Sequence, residues 1–403
     1  MNRPADTLLI TLTGKDRPGV TSAIFGALAH TGVNVVDLEQ ILLRRRLILG
    51  VLVTAPRDVK RLRQSIEKVA ADLGMTVDID KGVGDNKPRR EGRSHVTVIG
   101  SPLKASDMAA IAGRIADLGG NLDRIDRMAR YPVTAIELDV SGADPAALRS
   151  QLAREAAALT IDIAVQPASL LRHTVRLIVM DVDSTLIQGE VIEMLAAHAG
   201  FEAEVANVTE AAMRGEIDFE ESLRARVRLL AGLDASVIDT VYDSIVVNPG
   251  ARTLVRTLRR LGYRFAIVSG GFSQITDRLA EDLGIHRSRA NTLEIVDGKL
   301  TGNVLGDVVD RAGKARALRE FAADLGVPEA ATVAIGDGAN DLDMLEAAGL
   351  GIAYNARPVV RELADTTLPV PYLDAILYLL GISREAIEAA DAADGIVTPA
   401  PPV

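Results

Sequence analysis

A chain of 403 residues is longer than one hydrophobic core ordinarily supports, and its apolar share of 48% is ample for two or three folded units. Cysteine is absent, which excludes thiol nucleophiles and thiolate metal sites and gives no reason to invoke an oxidising compartment. A formal net charge of -10 argues against a nucleic-acid partner, and with no signal-peptide-like start and no apolar run near the ~20 residues of a membrane span, a soluble cytoplasmic protein is expected.

Residues 1–82 read as a βαββαβ unit. TLLITLTG, Thr7 to Gly14, alternates as a strand, DRPGV turns, and TSAIFGALAHTG forms a helix ending at Gly32. VNVVDLEQILL and LILGVLVTA follow as strands, RDVKRLRQSIEKVAADLG as an amphipathic helix and MTVDID as the last strand. The order recurs over residues 94–168. Asn34 in its Gly-Val-Asn-Val turn has a counterpart in Asn121, 87 residues on, and TLLITLTG falls on SHVTVIGS at the same offset, so a tandem duplication is expected. Between the copies, residues 83–93 hold Lys87, Arg89, Arg90 and Arg93 and read as a solvated connector, not a basic binding patch. His30, His95, His173, His198 and His286 are scattered without metal-ligand spacing and read as ordinary imidazoles.

From residue 169 to about 390, short apolar runs alternate with helices, the pattern of a parallel α/β sheet. Three runs stand out: VRLIVMDVD, YRFAIVSGG and ATVAIGDGAND. The long helical stretch between the first two, about residues 190–246, reads as an inserted cap. LEIVDGKLTG reads as a hairpin turning at Asp297-Gly298, and the tail 391–403 is expected to be disordered.

In an open parallel sheet, ligands bind beyond the carboxyl ends of the strands. The three runs deliver Asp181 and Asp183, Ser269, and Asp337 there, and Lys314 comes from a further element. Acidic groups, a lysine, a hydroxyl and free backbone N–H groups suit a phosphoryl group and a hard divalent cation. DVDSTL at Asp181 to Leu186, SGG at Ser269 to Gly271, Lys314 and GDGAND at Gly336 to Asp341 together resemble the four motifs of the haloacid dehalogenase superfamily, in order. The fold class implied is α/β: a haloacid dehalogenase-type Rossmann-like parallel sheet with a helical cap, preceded by two α+β units.

The resemblance implies roles residue by residue. Asp181 would be the nucleophile that becomes an aspartyl phosphate, and Asp183 the general acid and then base. Mg²⁺ would bind Asp181, the Asp183 carbonyl and Asp337, with Asp341 holding metal-bound water. Lys314, Ser269 and the Gly270 N–H would hold phosphoryl oxygens, supported by Asn340. The stretches DVDSTLIQGEVIEMLA and AMRGEIDFEESLRARVRLL resemble phosphoserine phosphatases in particular. There Glu190 would take the ammonium of O-phospho-L-serine and Arg226 its carboxylate, between Met213 and Phe219 as apolar walls.

The βαββαβ units resemble ACT domains, small modules that bind amino acids between paired copies. Asp16, Gly19 and Asn34 would contact an amino-acid effector such as L-serine, and pairing of the repeats across chains would make a homodimer. At the 87-residue offset Asp16 falls on Leu103 and Gly19 on Ser106, so the second repeat departs from this pattern. Two other readings are a related phosphatase for another phosphoamino acid, a phosphoprotein or a small phosphometabolite, disfavoured by Glu190 and Arg226, and an amino-acid sensor with a vestigial phosphatase half, disfavoured by intact Asp181, Asp183, Lys314 and Asp337.

Overall fold

A computed structural model describes residues 6–84, 91–159, 161–169, 174, 176–213 and 217–399, the side chains of 210–213 excepted. The connector residues 87, 89 and 90 therefore lie outside the described residues, as does His173. Two compact units divide the chain near residue 90. Among the described residues no helix is long and apolar enough to cross a membrane.

The first unit is a four-stranded antiparallel sheet, in the order Val35–Leu43, Arg46–Thr54, Asp6–Lys15, Thr76–Val83. Helices Val20–Ala29 and Val59–Asp72 cover one face. Leu8, Ile10 and Leu12 alternate inward from the central strand and meet Ile24, Leu28, Leu62 and Ile66 in a single core. Asp58 caps the second helix by accepting from the Arg61 N–H (3.0 Å).

The second repeat builds the same sheet: Asn121–Ala129, Thr134–Ser141, Ser94–Gly100, Asp162–Pro167. Its first helix keeps the 87-residue offset, Ile24 and Leu28 matching Ile111 and Ile115 in the two cores, whereas in its second helix Leu62 and Ile66 match Leu148 and Leu152 at an offset of 86. Its first strand shares the shorter offset. Val96 and Val98 face the helices where Ile10 and Leu12 do in the first repeat, and Gly100 stands where Gly14 does, an offset of 86. In a strand a one-residue slip exchanges the faces, so His95, Thr97 and Ile99 lie opposite to where the constant offset would put them.

That outer face does not stand free. Residues 90–403 form one unit because Ile99, Ala135 and Ala164 join the buried cluster that holds Ile376, Leu377 and Leu380 of the α/β domain. Gln166 Nε2 donates to the Leu379 carbonyl (2.7 Å), Arg149 pairs with Asp365 (2.6 Å), and the Thr367 hydroxyl donates to Asp162 (3.3 Å).

The α/β domain has seven strands in the order Lys299–Leu305, Arg287–Val296, Arg264–Phe272, Leu177–Met180, Thr332–Gly336, Leu350–Tyr354, Thr366–Leu368. All pairs are parallel except the edge hairpin, whose Val296↔Lys299 register leaves Asp297 and Gly298, both at positive φ, as a two-residue turn. Leu177–Met180 is central, and the chain winds outward from it in both directions, which opens a crevice at its carboxyl end.

Four helices, Val191–Ala199, Glu202–Met213, Phe219–Arg228 and Val237–Ser244, are inserted after this strand. They leave and return through a two-stranded neck, Ile187 opposite Val247, with Gln188 N–H donating to Val246 (2.8 Å) and Asn248 N–H to Leu186 (2.9 Å).

The tail corrects an expectation. Helix Arg384–Ala393 runs through Asp391, which is fully buried and bridges Arg256 (2.5 Å) and Arg260 (2.5 Å). Two guanidiniums on Ala251–Arg260 and the acid on the last helix tie the ordered structure down at least to residue 399, the last described.

Asp162 is almost fully buried at the seam between the second repeat and the α/β domain, and its carboxyl is pushed up to about 7, by burial above all, against the opposing effects of the Thr367 hydroxyl and Arg361. Between its ordinary value of 3.8 and about 7 the folded chain holds the proton more tightly than the unfolded chain does, so stability is lost as pH rises through that window. Asp162→Asn is therefore expected to flatten the pH dependence of thermal unfolding and to gain on the order of 1–3 kcal/mol over the parent at pH 8 but not at pH 4. Identical pH profiles for the two proteins would contradict this.

Candidate active site

The acidic side chains, Ser269 and Lys314 are delivered by strand ends, the turns that follow them and the first turn of a helix, and Arg226 by the last turn of helix Phe219–Arg228. Asp181 follows the central strand, and its Oδ1 accepts from the Val182 N–H (2.8 Å) and pairs with Lys314 Nζ (2.8 Å). The chain then turns sharply: Ser184 takes a positive φ of 56°, and its N–H donates to the Gly189 carbonyl (3.0 Å). This turn swings Asp183 back toward the next strand, where Oδ1 accepts from the Val191 N–H (2.8 Å) and Oδ2 from the Ser269 hydroxyl (3.0 Å). The Gly271 N–H closes the chain of bonds by donating to Ser269 Oγ (2.7 Å).

Lys314 sits in the first turn of helix Arg311–Asp324, 1% exposed, with Nζ also 2.7 Å from Asp341 Oδ1. Asp341 accepts the Gly338 N–H on its other oxygen (3.0 Å), and the Thr185 hydroxyl donates to Asp337 (2.8 Å). Carboxylate oxygens of Asp181, Asp337 and Asp341 lie within 4.8 Å of one another. An all-oxygen set of this kind fits a hard divalent cation. The Asp183 carboxylate, turned toward Val191 and Ser269, stands outside this triple.

The electrostatics follow from burial. Asp181 is held well above the ordinary carboxylate range by desolvation and then by Asp341, with Lys314 pulling the other way. Burial raises Asp183 as well, against its bonds from Val191 and Ser269. Asp337 is pushed up to about 6 by burial and by Asp341. Burial alone would lower the Lys314 ammonium, but Asp181 and Asp341 outweigh it and keep the charge on.

Above these groups lies a cavity of about 520 Å³, bounded by the inserted helices. Asp181, Asp183, Glu190, Phe219, Arg226, Gly270, Asp337 and Asn340 all line it. Ser269 and Lys314 stand behind the lining, each engaged with a carboxylate. Glu190 is pushed up to about 7 by burial and by Asp183, Asp337 and Glu193, while Arg226 works against this. Of the neighbouring arginines, Arg224 pairs outward with Glu220 (2.8 Å), whereas Arg226 is turned in and its pKa lowered by burial. Phe219 packs over Gly270, where an added Cβ would stand 2.9 Å from its ring. Met213 ends its helix, and its side chain lies outside the described residues.

Several contributors carry no sequence signal of their own. Asn248 Nδ2 donates to the Thr185 (2.7 Å) and Ile187 (3.2 Å) carbonyls, fastening the neck. Asn291 donates to the Gly270 carbonyl (2.8 Å) and holds that strand end. The buried Ser222 hydroxyl lines the cavity one turn before Arg226 with no hydrogen-bond partner among the described residues.

The first repeat presents a different picture. The Asp16 N–H donates to Arg45 (2.8 Å) at one end of its sheet, and Gly19, at a φ of 92°, precedes the first helix at that same end. Asn34 pairs with Thr54 at the other end. A single unit therefore does not bring the three together.

Comparison with known proteins matches this architecture piece by piece. Residues 178–346 match the haloacid dehalogenase-like hydrolase family, and residues 6–80 and 93–166 each match an ACT domain family. The phosphoserine phosphatase of Streptomyces coelicolor is 62% identical over 96% of this chain and 94% of its own length. The chain belongs to the phosphoserine phosphatase family. Phosphoserine phosphatase SerB2 of Mycobacterium tuberculosis is 52% identical over 96% of both chains. Among solved structures, a probable phosphoserine phosphatase from Vibrio cholerae superposes with a TM-score of 0.58 at 36% identity, over 74% of this chain and 88% of that one. A haloacid dehalogenase family hydrolase of Salmonella enterica serovar Typhi gives 0.63 at 27% identity, over 71% and 98%.

Lys314→Met leaves Asp181 and Asp341 as buried carboxylates without their cation, with an expected cost of about 3–5 kcal/mol at pH 8. Protonation relieves such carboxylates, so the deficit shrinks as pH falls toward 5. Thermal melts at the two pH values check this, and a deficit independent of pH would contradict the ion-pair account.

Proposed function

We infer that the chain hydrolyses O-phospho-L-serine to L-serine and phosphate through a phosphoryl group carried on Asp181. The observation that carries this reading is the pairing of Glu190 with Arg226 on the wall of one cavity whose floor holds Asp181 and Asp183. An acid and an arginine spaced above a phosphoryl-transfer floor match the ammonium, carboxylate and phosphate of one small amino acid. Relatives named phosphoserine phosphatase over nearly the full chain support the same substrate.

Both anchoring contacts of Asp181 go to Oδ1, which leaves Oδ2 to attack phosphorus. As the bond from phosphorus to the seryl oxygen breaks, Asp183, whose hold on a proton burial strengthens, gives its proton to that oxygen. In the second step Asp183 takes a proton from water, the water oxygen attacks the aspartyl phosphate, and Asp181 leaves as a carboxylate. Lys314 places positive charge against Asp181 and moderates its repulsion from the phosphate. The backbone N–H of Gly270 and the Asn340 amide, both at the cavity, serve the phosphoryl oxygens. Asp181 and Asp337, with Asp341 beside them, would hold Mg²⁺, which when bound offsets the charge developing on the phosphoryl oxygens.

Phosphate release from a panel of phosphorylated metabolites tests the reading. O-phospho-L-serine should be strongly preferred and Asp181→Asn inert. Arg226→Ala should lower kcat/KM for phosphoserine by about 100-fold, the scale of a lost charge-assisted pair, and far less for p-nitrophenyl phosphate. Equal losses on both substrates would remove Arg226 from recognition.

For the amino-terminal repeats, the effector reading takes L-serine as ligand and requires a second unit. Asp16 and Gly19 lie at one sheet end and Asn34 at the other, so a ligand touching all three sits between two copies, and a homodimer supplies the second. L-serine titrated calorimetrically into the parent and into Asn34→Ala should show a binding event lost in the variant. Identical titrations would leave Asn34 without a ligand role.

A further inference from the structure

The outer sheet face of the second repeat carries a group of donors that the reaction does not use. His95 and Asp139 are direct partners across adjacent antiparallel strands, as are Thr97 and Glu137 one step along, so the four side chains form a square on one face. His95 Nδ1 lies 2.7 Å from Asp139 Oδ1 and 3.9 Å from Glu137 Oε1, and one donor atom from each of the three residues falls within 4.8 Å of the others. These side chains are 14% to 23% exposed, reachable by an ion yet largely shielded from water. Thr97 at the fourth corner is fully buried, and its hydroxyl has no hydrogen-bond partner among the described residues.

The first repeat is an internal control. At the matching positions of the same sheet face it has Leu9, Thr11, Gly50 and Leu52, in the same cross-strand pairs. The fold does not need donors there. The second repeat carries an imidazole and two carboxylates on this face, with the Thr97 hydroxyl in the same cross-strand square.

We propose that His95, Glu137 and Asp139 form a binding site for a divalent transition-metal ion of the zinc class. One imidazole nitrogen with two carboxylate oxygens favours such an ion over magnesium, in contrast to the all-oxygen triple of Asp181, Asp337 and Asp341. Tetrahedral ligands at about 2.0–2.2 Å from zinc stand roughly 3.3 Å apart. Movements of about half an ångström would bring the observed 2.7 and 3.9 Å to that value, well within rotamer freedom. The fourth position is open to water, with the Thr97 hydroxyl as its partner. The site also lies at a seam: Gln166, the partner of His95 on its other side, donates to the Leu379 carbonyl of the α/β domain.

The test uses the full chain, stripped with chelator and then saturated with Mg²⁺, in equilibrium dialysis against Zn²⁺. The parent is compared with His95→Gln and with Glu137→Gln, a near-isosteric change that keeps the question open if the first variant folds poorly. Zinc taken up elsewhere is common to all and cancels. The parent is expected to hold one more zinc than either variant, with affinity reduced at least about tenfold in each. Zinc should also raise the melting temperature of the parent more than that of the variants. Equal stoichiometry, affinity and thermal shift in all three proteins would overturn the proposal.

Discussion

The Lys314 ammonium, buried between Asp181 and Asp341, is the contact on which the catalytic centre depends. Three carboxylates within 4.8 Å, with Asp183 and Glu190 on the same cavity, would repel one another severely in a desolvated crevice. One cation held by two of them, a threonine hydroxyl on the third, a backbone N–H on Asp183 and a serine hydroxyl on Glu190 let acidic groups gather without unfolding the strand ends that carry them. The same arrangement fastens one oxygen of Asp181, Oδ1, between the Val182 N–H and the Lys314 ammonium.

Much of that centre was legible in the sequence because it is built locally. An acid immediately after an apolar strand points where the strand ends, so Asp181, Asp183, Ser269 and Asp337 could be placed by reading along the chain. What could not be read depends on contacts across strands or far along the chain. Asn248 and Asn291 act through carbonyls 61 to 63 and 21 residues away, respectively. The Asp391 anchor needs Arg256 and Arg260, and no property of the tail sequence announces that pairing.

The duplicated units show how small a shift can mislead. The repeat offset read from the asparagine turns holds in the first helix but is one residue shorter in the second helix and in the first strand, where parity decides which face a side chain occupies. The slip sends His95 and Thr97 to the outer face, beside Asp139 and Glu137. A histidine that looks isolated in sequence is set beside two carboxylates by strand pairing, which ignores sequence distance. The two copies have also diverged in what their outer faces do. In the second repeat Ile99, Ala135 and Ala164 are buried against the α/β domain, whereas Leu9 at the matching face of the first remains 41% exposed.

The neck that carries the inserted helices also touches the acid triple. Asn248 grips the carbonyls of Thr185 and Ile187, and the hydroxyl of Thr185 holds Asp337, so the hinge and one wall of the cation site share a residue. Any coupling that Thr185 carries between a ligand in the cavity above and a cation at the acidic triple below is reciprocal by linkage: whatever free energy one contributes to the other's binding is returned in equal measure.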